Sequence, residues 1–446
     1  MSLYKISVLS CLFAILLGSP GRAQTQETTA STPGQPGQAS RSPVTGAESE
    51  GSLSLGAAID EAIARAPGFG VIDAEIDAAR GEAQTALVRP NPELSFGPGW
   101  KHVREGDDSH NEFKGSLSLS QVILFPGKRE LLASIGQKNI ALKRAGIEGL
   151  RFQIAASVRK SFYELLSAES ILHLREQQME SAKIFHQATS KRVAEGYASD
   201  FEAIKSRGEL VNAERLLRAA EGRIAAARIE LNTLLGRPLT QTLAISGSLE
   251  GVSTEPETSA LVAYAIGHNP SLRVQAMQAE LAGLNLRRAR LSKKPDISVG
   301  PTLEYSRSEQ ILGFGATIAL PRKNSNAGEI QSASAEQRRV LAETDVLRRE
   351  VSSAIVHAAS KLATAKAQLA LYTPDYLAQL KAVVVQAEQS YAQSVTSLLV
   401  YLEAKQSYYD TLASYFEALG DVAISRAELE ASVGTALESI PSNSAK

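Results

Sequence analysis

The chain states one pattern twice. A four-part order of short helix, strand pair, very long helix and long helix runs from about Leu53 to Gly236, and again from about Ser259 to Gly434. The landmarks recur in sequence. Ala62-Ile-Ala-Arg-Ala-Pro67 answers Ala265-Ile-Gly-His-Asn-Pro270, and Pro90-Asn-Pro92-Glu-Leu94 answers Lys294-Pro295-Asp-Ile297. Leu124-Phe-Pro126-Gly-Lys-Arg129 answers Leu320-Pro321-Arg-Lys323, and the turn around Ser199 answers the turn around Ser397. Helices of this length do not fold back into one globular core, and a lone strand pair cannot bury its apolar face. A duplicated unit of both kinds points to a tube completed by oligomerisation.

The first long helix is expected from Lys128 to about Glu195. No proline occurs between Pro126 and Pro238, and Ile147, Leu150, Ile154, Val158, Phe162, Leu165 and Leu172 form a stripe at three-to-four spacing. At 1.5 Å per residue it would be roughly 100 Å long. Its return partner spans Asp200 to Leu235, after a turn in which Gly196 suits a left-handed helix end and Ser199 an N-cap. In the second copy the long helix is expected from Ala327 to Gln393, kinked at Pro374, with its return from about Ser397 to Val433. Thr396 or Ser397 can cap that return. Helices this long with a narrow apolar seam need neighbours, and a plain coiled-coil rod fits the helices taken alone.

The strand pairs separate the readings. Strands are expected over about 93–103, 113–124, 297–307 and 311–321. Leu94, Phe96, Pro98 and Trp100 alternate with Ser95, Gly97 and Gly99, and Phe113, Leu117 and Leu119 with Lys114, Ser116 and Ser118. Val299, Leu303 and Tyr305 alternate with Ser298, Gly300 and Thr302, and Phe314 and Ile318 lie on the matching face of the last run. Each run has the length a tilted strand needs to cross a bilayer, and the alternation is the lipid-out, water-in pattern of a membrane barrel. The membrane-facing set is therefore Leu94, Phe96, Trp100, Leu117, Leu119, Val299, Leu303, Tyr305, Phe314 and Ile318. Four such segments cannot close a barrel, and an open edge in lipid leaves backbone groups unpaired. Two, three or four copies would give about 8, 12 or 16 strands.

Composition limits the rest. The 446 residues carry a formal net charge of −1, which offers nothing to nucleic acid or to an acidic ligand. Lys5, the apolar run Ile6–Gly18 and the small residues Gly21-Arg-Ala23 read as a secretory signal over 1–23. Cys11, the only cysteine, falls inside it, either as a small apolar residue or as a lipid-attachment site, so a chain cut after Ala23 has no thiol or disulfide chemistry. Residues 24–50 are rich in Gln, Thr, Ser, Pro and Gly and read as a disordered leader, 237–258 as a linker and 436–446 as a disordered tail. The six histidines lack ligand spacing and read as surface residues. No phosphate loop, nucleophile elbow or Cys/His cluster occurs, so an enzyme is not expected and no cofactor is called for.

At this point the sequence resembles the TolC-like outer-membrane efflux proteins, and most closely their heavy-metal and cation efflux branch. The resemblance covers about residues 53–435. It is carried by Leu55-Gly-Ala-Ala-Ile-Asp-Glu-Ala-Ile-Ala-Arg-Ala-Pro67, Pro90–Leu94, Gln121-Val-Ile-Leu-Phe-Pro-Gly-Lys-Arg129, Leu231-Asn-Thr-Leu-Leu-Gly-Arg-Pro238 and Pro321-Arg-Lys-Asn-Ser-Asn-Ala-Gly-Glu329. It implies a protein that is mainly α with a membrane β-barrel. Three copies would share a 12-stranded barrel continuous with a 12-helix periplasmic tunnel. Implied partners are two further copies of the chain, outer-membrane lipid, a periplasmic adaptor and an inner-membrane pump of the RND type. Implied location is the Gram-negative outer membrane with a periplasmic extension.

The stretch Arg192-Val-Ala-Glu-Gly196-Tyr-Ala-Ser199 resembles the adaptor-binding tip of that family, so Arg192, Gly196 and Ser199 are candidates there. The second tip, with Ser394 and Ser397, departs from it by placing Ser394 where glycine is common. The family's lumen carboxylates near the closed tip suggest Glu195, Asp200, Glu388 and Glu403. The ordinary reading of each is a solvated or salt-bridged helix charge. A conduit for metal cations or small toxic compounds is expected, against a polypeptide secretion duct or a periplasmic tether.

Overall fold

The computed structural model describes residues 52–105, 108–249, 256–307, 309–320 and 326–440. The expected signal and leader with Cys11 lie outside the described residues, as do 250–255 of the linker, 321–325 and the end of the tail, 441–446.

The first repeat runs β1 (Leu53–Ser54), α1 (Leu55–Arg65), α2 (Gly68–Leu87), β2 (Glu93–Glu105), β3 (Asp108–Ile123), α3 (Lys128–Ala194) and α4 (Asp200–Leu235). The second runs β4 (Ile245–Ser246), α5 (Thr258–His268), α6 (Pro270–Leu291), β5 (Ile297–Ser306), β6 (Gln310–Ile318), α7 (Ala327–Leu369), α8 (Pro374–Ala392) and α9 (Leu398–Val433). Each repeat therefore opens on two helices where the sequence reading had one. In the second, Pro270 starts the extra helix at its first turn, where its missing N–H is not needed, and the Asn269 side chain accepts from the Ser271 and Leu272 amides.

The two repeats build matching cores. In the first, Ala58 and Ala62 of α1 are buried with Val158, Phe162 and Leu165 of α3, and with Ile224, Leu231 and Leu235 of α4. In the second, Leu261 and Ala265 of α5 meet Ile355 and Leu362 of α7, and Leu429 and Val433 of α9. Small residues on the short helix let it lie close to the long pair, and each large buried side chain adds about 1.5–3 kcal/mol. The short parallel pairing of Leu53 with Ile245 and of Ser54 with Ser246 joins the two beginnings.

Three expectations are corrected here. The tail is not free over its first residues: Leu437–Ser439 form a 3-10 turn, and Leu437 and Ile440 are buried in the second core. Two isolated apolar residues in a polar stretch gave too weak a pattern to read. The expected linker likewise contributes Leu243 to the first core and Ile245–Ser246 to the short sheet. Third, Pro374 does not kink one long helix but starts a new one. Thr373 caps it by accepting from the Tyr376 amide at 3.2 Å, so α7 and α8 are separated at 370–373.

The sheet has the order β2-β3-β5-β6 and is antiparallel throughout. Its register sets Leu94 opposite Leu119, Phe96 opposite Leu117, Leu117 opposite Leu303, and Ile297 opposite both Ile123 and Ile318. Directly opposed residues share a face, so all ten side chains assigned to the membrane surface fall on one side. Trp100 and Phe314 are 76% and 74% exposed there. The other face carries Ser95, Gly97, Ser116, Ser118, Ser298 and Thr302, with Lys114 and Glu304 paired at 2.7 Å. Pro301 lies in a central strand, which a ladder normally forbids. The β3–β5 pairing stops at Ser118↔Thr302 and resumes at Gln121↔Val299, and Gly300 fills the gap so closely that a Cβ there would collide with the Leu119 carbonyl oxygen.

Candidate functional site

The long helices end in two tips that share one backbone design. At the first, the Gly196 amide donates to the Val193 carbonyl at 3.0 Å and the Tyr197 amide to the Arg192 carbonyl at 2.7 Å. At the second, the Ser394 amide donates to Tyr391 at 3.0 Å and the Val395 amide to Ser390 at 2.8 Å. Both close their helix by the same pair of back-bonds around one left-handed residue. That residue is Gly196 at φ 78° and Ser394 at φ 59°. The departure noted in the sequence thus keeps the glycine geometry with a side chain in place, at a cost of about 1 kcal/mol.

Ser199 accepts from the Glu202 amide at 3.4 Å and caps α4. Ser397 holds the equivalent extended position before α9 but makes no side-chain cap bond. Apolar side chains stand exposed at both turns, Tyr197 at 75% and Val395 at 73%, with Phe201 and Ile204 beside the first. Arg192 turns away from the turn and sets its guanidinium 5.4 Å from the centre of the Tyr391 ring.

Above the turns a small aromatic core holds the hairpins together. Phe185 of α3 contacts Tyr391 of α8 and Tyr401 of α9, with ring centres 6.0 and 5.2 Å away. Tyr391 and Tyr401 stack at 5.8 Å, and Ala387 and Leu398 are buried around them. The Tyr391 hydroxyl donates to Glu202 on α4 at 2.6 Å. Burial, reinforced by that bond, pushes the Tyr391 pKa up to about 12, so the phenol stays a donor at any physiological pH. Glu202 therefore joins the first hairpin to the second. Sequence reading gave neither residue a role. The available signal was the crowding of Tyr391, Tyr401, Tyr408 and Tyr409 near one tip of a chain with 5% aromatics.

The four candidate carboxylates all lie near the helix ends that flank the two turns. Glu195, Asp200, Glu388 and Glu403 are all exposed, and Glu195 lies 4.0 Å from Lys191. Only Glu388 acts on the aromatic core, where its charge helps hold the Tyr401 phenol above its ordinary value, second to burial. Among the described residues, no group of three or more His, Cys, Asp or Glu could hold a metal ion, and no helix is long and apolar enough to cross a membrane.

Comparison with known proteins places this geometry. A profile of the outer membrane efflux protein family matches residues 58–237. The cobalt-zinc-cadmium resistance protein CzcC of Cupriavidus metallidurans is 28% identical over 295 residues, which span 65% of this chain and 68% of that protein. The chain thus resembles outer membrane efflux proteins over its first repeat. Among solved structures, the Campylobacter jejuni CmeC outer membrane channel aligns with a TM-score of 0.67 at 15% identity, over 85% of each chain. The open state of the Neisseria gonorrhoeae MtrE outer membrane channel aligns with a TM-score of 0.67 at 17% identity, over 86% of this chain and 89% of that one. The fold is TolC-like. Its likeness to these proteins is one of fold across both repeats and of sequence pattern over 58–237.

Proposed function

We propose that three copies of this chain form the outer-membrane exit duct of a three-part efflux assembly, passing metal cations or small toxic compounds out of the cell. One observation carries the reading. A four-stranded sheet with an apolar and a polar face has two unpaired edges, on β2 and β6, and these must be met by neighbours if the sheet lies in lipid. Because β2 and β6 run in opposite directions, copies set side by side continue the antiparallel order, and three give the 12-stranded barrel.

The tips are where a periplasmic adaptor docks, through Arg192, Gly196, Ser199, Ser394 and Ser397 and the exposed Tyr197 and Val395. An inner-membrane pump of the RND type supplies the energy, and this chain conducts passively. The Tyr391–Glu202 bond and the aromatic core hold the tips closed. An adaptor that binds the open arrangement better shifts the balance toward it. Glu195, Asp200, Glu388 and Glu403 add negative charge near the constriction, which favours cations over anions. The cation cargo is supported by the likeness to a cobalt-zinc-cadmium resistance protein.

The test is reconstitution. Purified protein should run as a heat-sensitive trimer in detergent and give cation-preferring conductance in planar bilayers. A water-soluble monomer would favour the periplasmic tether. A deletion strain that tolerates metals but fails to export polypeptides would favour a secretion duct.

A further inference from the structure

Two turns beyond the second tip, Lys405 of α9 is 2% exposed, and among the described residues its Nζ meets no hydrogen-bond partner. It meets rings instead. Nζ lies 5.5 Å from the centre of Phe185 on α3 and 5.6 Å from that of Tyr401 on its own helix. The remaining two helices supply charge: Glu209 on α4 and Glu388 on α8 both favour the ammonium, though neither is within bonding reach. Asp410, further along α9, opposes ionisation of Glu209 and lies 3.8 Å from Arg175 of α3. All four helices of the two hairpins thus surround one dehydrated cation.

The sign of its effect follows from what surrounds it. An ammonium gives up its water on burial, and ring faces return only part of that loss. Burial lowers the Lys405 pKa, and the carboxylates of Glu209 and Glu388 do not make up the difference. The cation is therefore worse off in the closed packing than in water. Separating the first hairpin from the second is the movement that would let water reach it.

Resting on the gated-duct reading above, we propose that Lys405 is an opening element. It is a cation held dry in the seam between the hairpins, whose hydration draws them apart against the Tyr391–Glu202 bond. The closed tip is then kept only moderately stable, and an adaptor needs little binding energy to release it. A methionine of similar length would fill the same space without the dehydrated charge.

Three proteins reconstituted side by side in planar bilayers test this: wild type, Lys405→Met, and the double variant Glu209→Gln/Glu388→Gln. Lys405→Met should lower open probability by about threefold or more and raise the temperature at which the assembly dissociates. The double variant, which strips the ammonium of its counter-charges, should open more often. Lys405→Met channels that open more, or melt lower, would show that the lysine clamps the hairpins together and would overturn the proposal. Unchanged behaviour in both variants would overturn it as well. If wild type carries no current, the duct reading fails, while the melting comparison still decides whether the buried cation opposes the closed packing.

Discussion

The Tyr391 hydroxyl and the Glu202 carboxylate stand 2.6 Å apart although 189 residues separate them in sequence, and their bond ties α8 of the second repeat to α4 of the first. It is a neutral donor meeting a charged acceptor. Such a bond is worth about 1.5–3 kcal/mol when fully buried and less at a half-buried site such as this one. Tyr391→Phe removes only the hydroxyl and leaves the ring stack intact. The variant should fold and assemble normally yet show a higher open probability in planar bilayers. Equal conductance of the two proteins would exclude this bond as a tip restraint.

Ser394 offers a second, opposite test. Its left-handed backbone suits glycine, so Ser394→Gly should raise the thermal midpoint slightly, relief of the left-handed strain outweighing the extra freedom glycine gives the unfolded chain. Gly196→Val places a β-branched residue at φ 78° and should cost more than that, and should reduce cross-linking to the adaptor while trimers persist. Calorimetry on the two variants checks the ordering. A stabilised Gly196→Val protein would contradict the shared tip geometry.

The family stretch ending Gly236-Arg237-Pro238 has a structural explanation with a pH signature. Arg237 grips Glu61 of α1 with two bonds of 2.6 Å, while the Asn232 side chain donates to the Leu239 and Gln241 carbonyls and folds the loop beneath α4. The bond from Arg237 is the main reason the Glu61 carboxyl sits below its ordinary pKa of 4.5 in the folded chain. Its contribution is therefore complete above the unfolded value and disappears as pH falls through the lower, folded one. Glu61→Gln should be less stable than wild type at neutral pH, and the two should converge in acid. Denaturant midpoints measured from pH 7 downward would show it. A constant gap would assign the loss to packing.

Gly300 tests the barrel separately from the helices. A Cβ at this position would strike the Leu119 carbonyl across the β3–β5 gap. Gly300→Ala should leave helical circular dichroism unchanged while lowering the yield of trimer in detergent. Normal trimer yield would mean the gap widens readily.

The parts that were legible in the sequence are those fixed by local periodicity. The strands alternate with period two, the helices with 3.6, and both recur at matched places in the repeat. Glu202 and Tyr391 were not legible, because nothing nearby in sequence records which distant side chain each meets. The break before α8 was misread because Pro374 was weighed as a helix breaker alone. Thr373 ahead of it is an N-cap, and the two together specify a start. The tip candidates lie at the turns, but which way the carboxylates among them face is not written in local periodicity, since it depends on how the hairpins pack.

That break has a mechanical consequence. The first repeat's α3 runs unbroken over 67 residues from the sheet to the tip, whereas its counterpart is divided into pieces of 43 and 19 residues. One leg of the protomer is a rigid strut and the other has a knee. A push applied at the foot of the jointed leg can swing its lower segment while the strut and the strands above it keep their positions.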